Sequence, residues 1–281
     1  MRRCYAFLLF LLVLLSGTAF TQALPALAFD TSHTANKAGG VVSPPVLNLP
    51  APAALPRMAP ELALQVYHGR CVIQAQQLAA YSAVSVIRAE LPDTDQQGEF
   101  EVERHFSAPH TLQFTAVHYS GDGFVKSNII TRLLQSEVDH AQKDDGALTA
   151  ISNQNYKFSY KGTAEVNGRL THVFHLKPRT KRPGLFKGRI FLDVYSGSLV
   201  RAEGTVVKSP SFFVKKIEFQ QDYADFGNFT FPVHIHSDSK ARVVGRALID
   251  IYHRDYRPVA AMQTASQQPA QHLASSAAPS E

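Results

Sequence analysis

From residue 83 to residue 256 the chain is written in short runs that alternate apolar and polar residues. That alternation restricts it to a mainly β fold. The runs are AVSVIRAEL (83–91), EFEVERHF (99–106), TLQFTAVHY (111–119), YKFSYKGTAEV (156–166) and LTHVFHLK (170–177). They continue with GRIFLDVY (188–195), LVRAEGTVV (199–207), FFVKKIEFQQDY (212–223), NFTFPVHIHS (228–237) and RVVGRALIDIYHRDY (242–256). Turn residues separate most of them: 93–98, Gly121-Asp122-Gly123, Asn167-Gly168 and Ser196-Gly197-Ser198. No long crossover joins the later runs, so the ten or so strands form an antiparallel sheet.

Two helices interrupt the pattern. Pro60 suits a first helical turn, and ELALQVYHGRCVIQAQQLAAY (61–81) follows it. Residues 128–143 place Ile129, Ile130, Leu133, Leu134 and Val138 on one apolar stripe. The fold class is therefore α+β, dominated by antiparallel β structure.

Side-chain parity sorts the strands into a greasy and a wet face. Tyr156, Phe158 and Tyr160 oppose Lys157 and Lys161. Ile190, Leu192 and Val194 oppose Arg189 and Asp193. Phe213, Ile217 and Phe219 oppose Lys216 and Glu218. Phe231, Val233 and Ile235 oppose Thr230, His234 and His236, and Val243, Ala247, Ile249 and Ile251 oppose Arg242, Arg246 and Asp250. A three-residue loop at 196–198 keeps the faces unmixed. It sets Asp193 against Arg201 as an exposed cross-strand ion pair, worth at most ~1 kcal/mol.

The ends are different in kind. A basic MRR, an apolar AFLLFLLVLLSG and a small-x-small site at Ala26-Leu27-Ala28 read as a signal peptide over 1–28, cut after Ala28 or, alternatively, after Ala23. The chain is then exported, with a periplasmic location. Residues 29–59, rich in Pro, Ala and Ser, read as a disordered linker, and 258–281 as a disordered tail. The folded domain is 60–257. Of two cysteines, Cys4 leaves with the signal peptide, so Cys71 has no internal partner and the core must hold the fold. The formal charge is +5, or +3 without Arg2 and Arg3. The nearest candidate for a basic stripe, KPRTKRPGLFK (177–187), carries two prolines and a glycine and reads as an exposed connection, which argues against nucleic acid.

Catalytic constellations are weak. Arg189, Asp193, Arg201 and Glu203 read as a solvated wall. His234, His236 and Asp238 share one strand face, the spacing a metal-dependent hydrolase would use, but no third histidine follows because Ser239 stands there. No nucleophile elbow, HExxH, P-loop or CxxC occurs. The expectation is a protein that is not an enzyme and has no catalytic, metal or cofactor-binding residue. What remains is the greasy face. Two helices cover it either as a closed core or as a lid over a cavity for an apolar ligand. Phe158, Leu192, Ile217, Phe219, Val233 and Ile249 are the candidates for such a lining.

The order of elements, with NYKFSYKGTAEVNGR (155–169), LFKGRIFLDVYSGSLVRAEG (185–204), KSPSFFVKKIEFQQDY (208–223), FPVHIHSDS (231–239) and VVGRALIDIYHRDY (243–256), resembles the LolA/LolB-like group of outer-membrane lipoprotein-sorting proteins. The resemblance covers residues 155–256 well and 60–150 in pattern only. It implies a strongly curved half-barrel whose concave face is covered by helices and takes acyl chains. Lipid or an acylated lipoprotein is then the partner, with only peripheral membrane contact. The alternative is an envelope interaction or sensor domain with a closed core, binding other envelope proteins.

Overall fold

The computed structural model describes residues 56–143, 146–208, 214–242 and 245–261. The stretch read as a signal peptide, most of that read as a linker, the residues beyond Ala261, Phe213 and Val243 lie outside the described residues. Among the described residues, five helical segments and ten strands follow in order. They are α1 (Pro60–Gln77), β1 (Leu78–Leu91), β2 (Gln96–Ser107), β3 (Thr111–Gly121), α2 (Gly123–Val125), a π-helical turn (Lys126–Ile130), α3 (Thr131–Gln142) and α4 (Gly146–Thr149). Then come β4 (Tyr156–Val166), β5 (Arg169–Pro178), β6 (Phe186–Asp193), β7 (Leu199–Val206), β8 (Val214–Phe226), β9 (Phe229–Ala241) and β10 (Gly245–Ala260).

All ten strands join one antiparallel sheet in the order β3-β2-β1-β10-β9-β8-β7-β6-β5-β4. The only jump in sequence brings β1 beside β10, so the first three strands join the last seven there, three strands in from the β3 edge. β3 and β4 are its edges. The sheet is an open half-barrel with helices on one face, called inner below.

α1 starts as expected, with Pro60 in its first turn. It ends at Gln77, four residues before the sequence pattern would end it, because Leu78 and Tyr81 pair with Ala260 and Pro258 in β10. There the Tyr81 ring packs against Phe106, Phe231 and Tyr256. Burial in the sheet overrides helix propensity for these residues. The second helical stretch begins at Gly123, five residues earlier than its stripe suggests. Ile129, Ile130, Leu133 and Leu134 are buried as that stripe requires.

Three apolar clusters share the inner face, one of them formed by Tyr81, Phe106, Phe231 and Tyr256. Under the π-turn and α3 lie Ile87, Leu91, Phe100, Val102, Ile217, Ile235, Ile249 and Ile251. Under α1 lie Tyr67, Tyr156, Phe174, Leu176, Phe186, Ile190, Leu192 and Ala202. The turn after β6 seats α1, because Gly197, at φ 66°, leaves no room for a Cβ beside Val66. Met58, in the stretch read as linker, belongs to the fold. Its N–H donates to Val194 O, and its carbonyl meets His172 Nε2 at 2.9 Å.

Two parity expectations fail at bulges. Between Asp222↔His234 and Tyr223↔Pro232 the β8–β9 register shifts, and Val233 is the extra residue. Between Phe191↔Arg201 and Leu192↔Leu199 the β6–β7 register shifts, and Val200 is the extra residue. The second shift removes the expected Asp193–Arg201 pair. Arg201 bonds Asp222 across β7–β8, and Asp193 bonds Arg169 at 2.9 Å. Asp193 is also buried, with Oδ1 accepting from the N–H groups of Tyr195 and Ser196 and from the Ser196 hydroxyl. It closes a turn, and the solvated wall is built by Arg189 with Glu203 instead.

Candidate functional site

The six residues expected to line a cavity fall into two groups. Leu192, Ile217 and Ile249 are fully packed, at 0%, 5% and 1% exposure. Phe158, Phe219 and Val233 are half-buried. The packed three belong to the floors of two of the clusters: Leu192 under α1, Ile217 and Ile249 under α3. They do not line one common space.

The boundary between these two clusters runs along β8 and β9. Ile217 and Phe219 are neighbours on the same face of β8, yet Ile217 packs with the α3 cluster and Phe219 with the α1 cluster. Phe219 sits edge-on to Phe186, ring centroids 5.0 Å apart, and opposite Ser237 of β9. Ile217 lies opposite Ser239, and Gln221 opposite Ile235. Ser237, Ser239 and Gln221 are buried, so a polar seam crosses an otherwise greasy face.

Ser239 Oγ donates to Ala247 O. The Ser237 hydroxyl is buried and has no hydrogen-bond partner among the described residues. An unmet buried hydroxyl is costly, and folded proteins rarely keep one without a use. The seam therefore offers apolar walls on both sides and one idle donor in its floor. A second polar group of the inner face lies nearer β1. His253 Nδ1 and Ser85 Oγ are 2.8 Å apart and buried. Arg104 of β2 bonds Tyr81 Oη and, through Nη2, the Glu137 carboxylate of α3. Burial works against the Arg104 charge, but Glu137 and the neighbouring tyrosines hold its pKa above the usual arginine value. Burial, with Arg104 nearby, pushes the His253 pKa well down. The Arg104–Glu137 pair ties α3 to the sheet, and the Ser85–His253 contact joins β1 to β10.

These polar residues were not picked out from sequence, although the signal was present. Once His234, His236 and Asp238 point outward, Ser237 and Ser239 must point inward, where a serine is out of place.

The outer face carries the histidines as expected. His234 Nε2 and His236 Nδ1 meet the same Asp250 carboxylate at 2.9 and 3.1 Å, and the His234 ring stacks on Tyr252. Asp250 thus holds both rings within the sheet's surface network. Among the described residues no three His, Cys, Asp or Glu side chains are placed to hold a metal ion. An open trough of about 650 Å³ lies beside them, lined by His175, Arg189, Glu203, Gln220, His236 and Asp238. Charged side chains rim it and are tied up in the Arg189–Glu203 and Arg246–Asp238 ion pairs, while apolar atoms, Phe219 among them, make up most of its wall. His172 faces the opposite side of β5 from His175, meeting Met58 O and Tyr160 Oη.

No family model matches the chain, and no curated protein matches it. Solved structures do resemble it. A LolA superfamily protein from Nitrosomonas europaea aligns at 10% identity over 70% of this chain and 92% of that one, with a TM-score of 0.36. A DUF1329 family protein from Desulfovibrio piger aligns at 9% over 70% and 92%, with a TM-score of 0.37. MucB, in the MucA/MucB complex of Pseudomonas aeruginosa, aligns at 11% over 71% and 100%, with a TM-score of 0.25.

Proposed function

We infer that the protein is a non-enzymatic, periplasmic binding protein that carries an acyl chain, free or attached to a lipoprotein. The acyl chain lies along the seam between α1 and α3. The observation that carries this reading is the Ser237 hydroxyl, buried without a described partner opposite half-buried Phe219. A carboxyl or ester oxygen at the head of an acyl chain accepts from Ser237, and the chain lies against Phe219. The signal-peptide pattern and the resemblance of residues 155–256 to lipoprotein-sorting proteins support the location and ligand class.

The test is titration with a fluorescent fatty acid. Wild type takes up the probe, and Ser237→Ala weakens it about fivefold, the worth of one hydrogen bond. Ser237→Ala also leaves unfolding stability unchanged or slightly higher, since the hydroxyl it removes has no described partner. Phe219→Glu, an unpaired carboxylate at the half-buried seam, abolishes uptake. Absence of uptake by a folded wild-type protein would replace this reading with the closed-core interaction domain.

A further inference from the structure

We propose that the β4–β6 end of the outer face, together with the 179–182 turn, is a docking surface for a membrane of anionic phospholipid. Lys157 stands directly opposite Lys177 in the β4–β5 ladder. The β5–β6 ladder runs to Leu176↔Gly188, so Lys187 continues the row on the far side of Lys177. All three are exposed, and none has an ion pair among the described residues. Like charges side by side across a ladder repel. Elsewhere on this face such conflicts are relieved: Lys216, opposite Lys240, has Glu218 at 2.8 Å, and Arg189 has Glu203. The lysine row has no such relief. From Gly146 to Gly188 the sequence contains eight Lys and Arg but one acid, Glu165, at the other end of β4.

The adjoining turn adds to the row. Arg179 bonds the carbonyls of Asn153 and Tyr156, and Arg182 Nη2 bonds Asn155 Oδ1 at 2.6 Å, with exposed Lys181 between them. Asn155 in turn donates to Ala147 O and Ala150 O. That straps the turn to α4, where Leu148 is 50% exposed. Unrelieved cations, next to a turn strapped to a helix that exposes a leucine, match phosphate headgroups above an acyl layer. The lysine face has no aromatic platform for stacked bases, which sets it apart from a single-strand nucleic-acid groove. The surface rests on the carrier reading for its purpose, since a lipid carrier must meet a membrane.

Its test is independent of that reading. The full exported chain is co-sedimented with vesicles of phosphatidylglycerol and phosphatidylcholine, or of phosphatidylcholine alone. Wild type binds the anionic vesicles, not the neutral ones, and releases them at about 0.5 M salt. Lys157→Gln/Lys177→Gln weakens that binding about 25-fold, at roughly fivefold per lysine. The charge-matched Lys216→Gln/Lys240→Gln stays within about twofold, and both variants keep wild-type circular dichroism and probe uptake. Equal binding to both vesicle types, equal loss in both variants, or tighter binding of a DNA duplex than of anionic vesicles at about 0.15 M salt would overturn the proposal. Lost probe uptake with intact vesicle binding would remove the carrier reading and leave this surface standing.

Discussion

Asp193 does structural work that its place in a charged strand disguises. Burial raises its pKa, but bonds from the N–H groups of Ser196 and Tyr195, the Ser196 hydroxyl and Arg169 outweigh that and hold it below the usual carboxylate range. A group with a depressed folded-state pKa stabilises above its unfolded value and loses that contribution as pH falls through the folded one. Asp193→Ala is expected to cost about 2–3 kcal/mol at pH 7, by chemical denaturation, because several buried donors lose their acceptor. A cost below ~1 kcal/mol would contradict the role. A double-mutant cycle of Asp193 with Arg169 should show coupling, and one with Arg201 none. His253 obeys the same sign in a different window. Its folded pKa is lowered, so the unfolded chain takes up the proton first as pH drops below 6.5. Stability should fall by up to about 1.4 kcal/mol per pH unit between pH 6.5 and 5. Replacing His253 with Gln should flatten that slope, and an unchanged slope would refute the assignment. His68, also lowered by burial, adds to the same window.

At the scale of elements, α3 is pinned by one buried ion pair, Arg104–Glu137, with side-chain exposures of 6% and 8%. Removing one partner leaves the other charge buried. Arg104→Met is expected to cost about 3–5 kcal/mol, and adding Glu137→Leu should recover most of it. If the double variant is as unstable as the single, packing around Arg104 matters more than the charge. β6 and β7 are joined through facing glycines. A Cβ at Gly188 would overlap the carbonyl oxygen of Glu203, and one at Gly204 that of Lys187. Those glycines were visible in the sequence, but their facing positions were not. The same holds for the strands: alternation located all ten and assigned most faces. It could not show the extra residues Val200 and Val233, because a bulge needs no special residue type. Each bulge moved what lay beyond it, which is why the Asp193–Arg201 pair was expected and Arg201–Asp222 is found. Ser237 escaped notice for the opposite reason. Its parity was legible, but a serine among inward residues carries no signal of its own beside His234 and His236.

For the whole molecule, one open sheet of ten strands buries most of its apolar side chains on its inner face, where two separate helical covers meet them. The floors under each cover, including Leu192 and Ile249, are packed as tightly as any core. Truncating them should be expensive: Leu192→Ala about 3 kcal/mol or more. Phe219, half-buried at the seam, should cost clearly less, and a larger loss there would mean the seam is closed core. Phe219→Ala should also alter probe affinity, whereas a cavity under Leu192 should not. The most direct measurement of the central claim is mass spectrometry of an organic extract of the purified, exported protein. The account predicts an acyl lipid at close to one per chain, and a lower unfolding midpoint once that lipid is stripped. Lipid-free protein whose midpoint is unmoved by extraction, and which takes up no acyl probe, would contradict it.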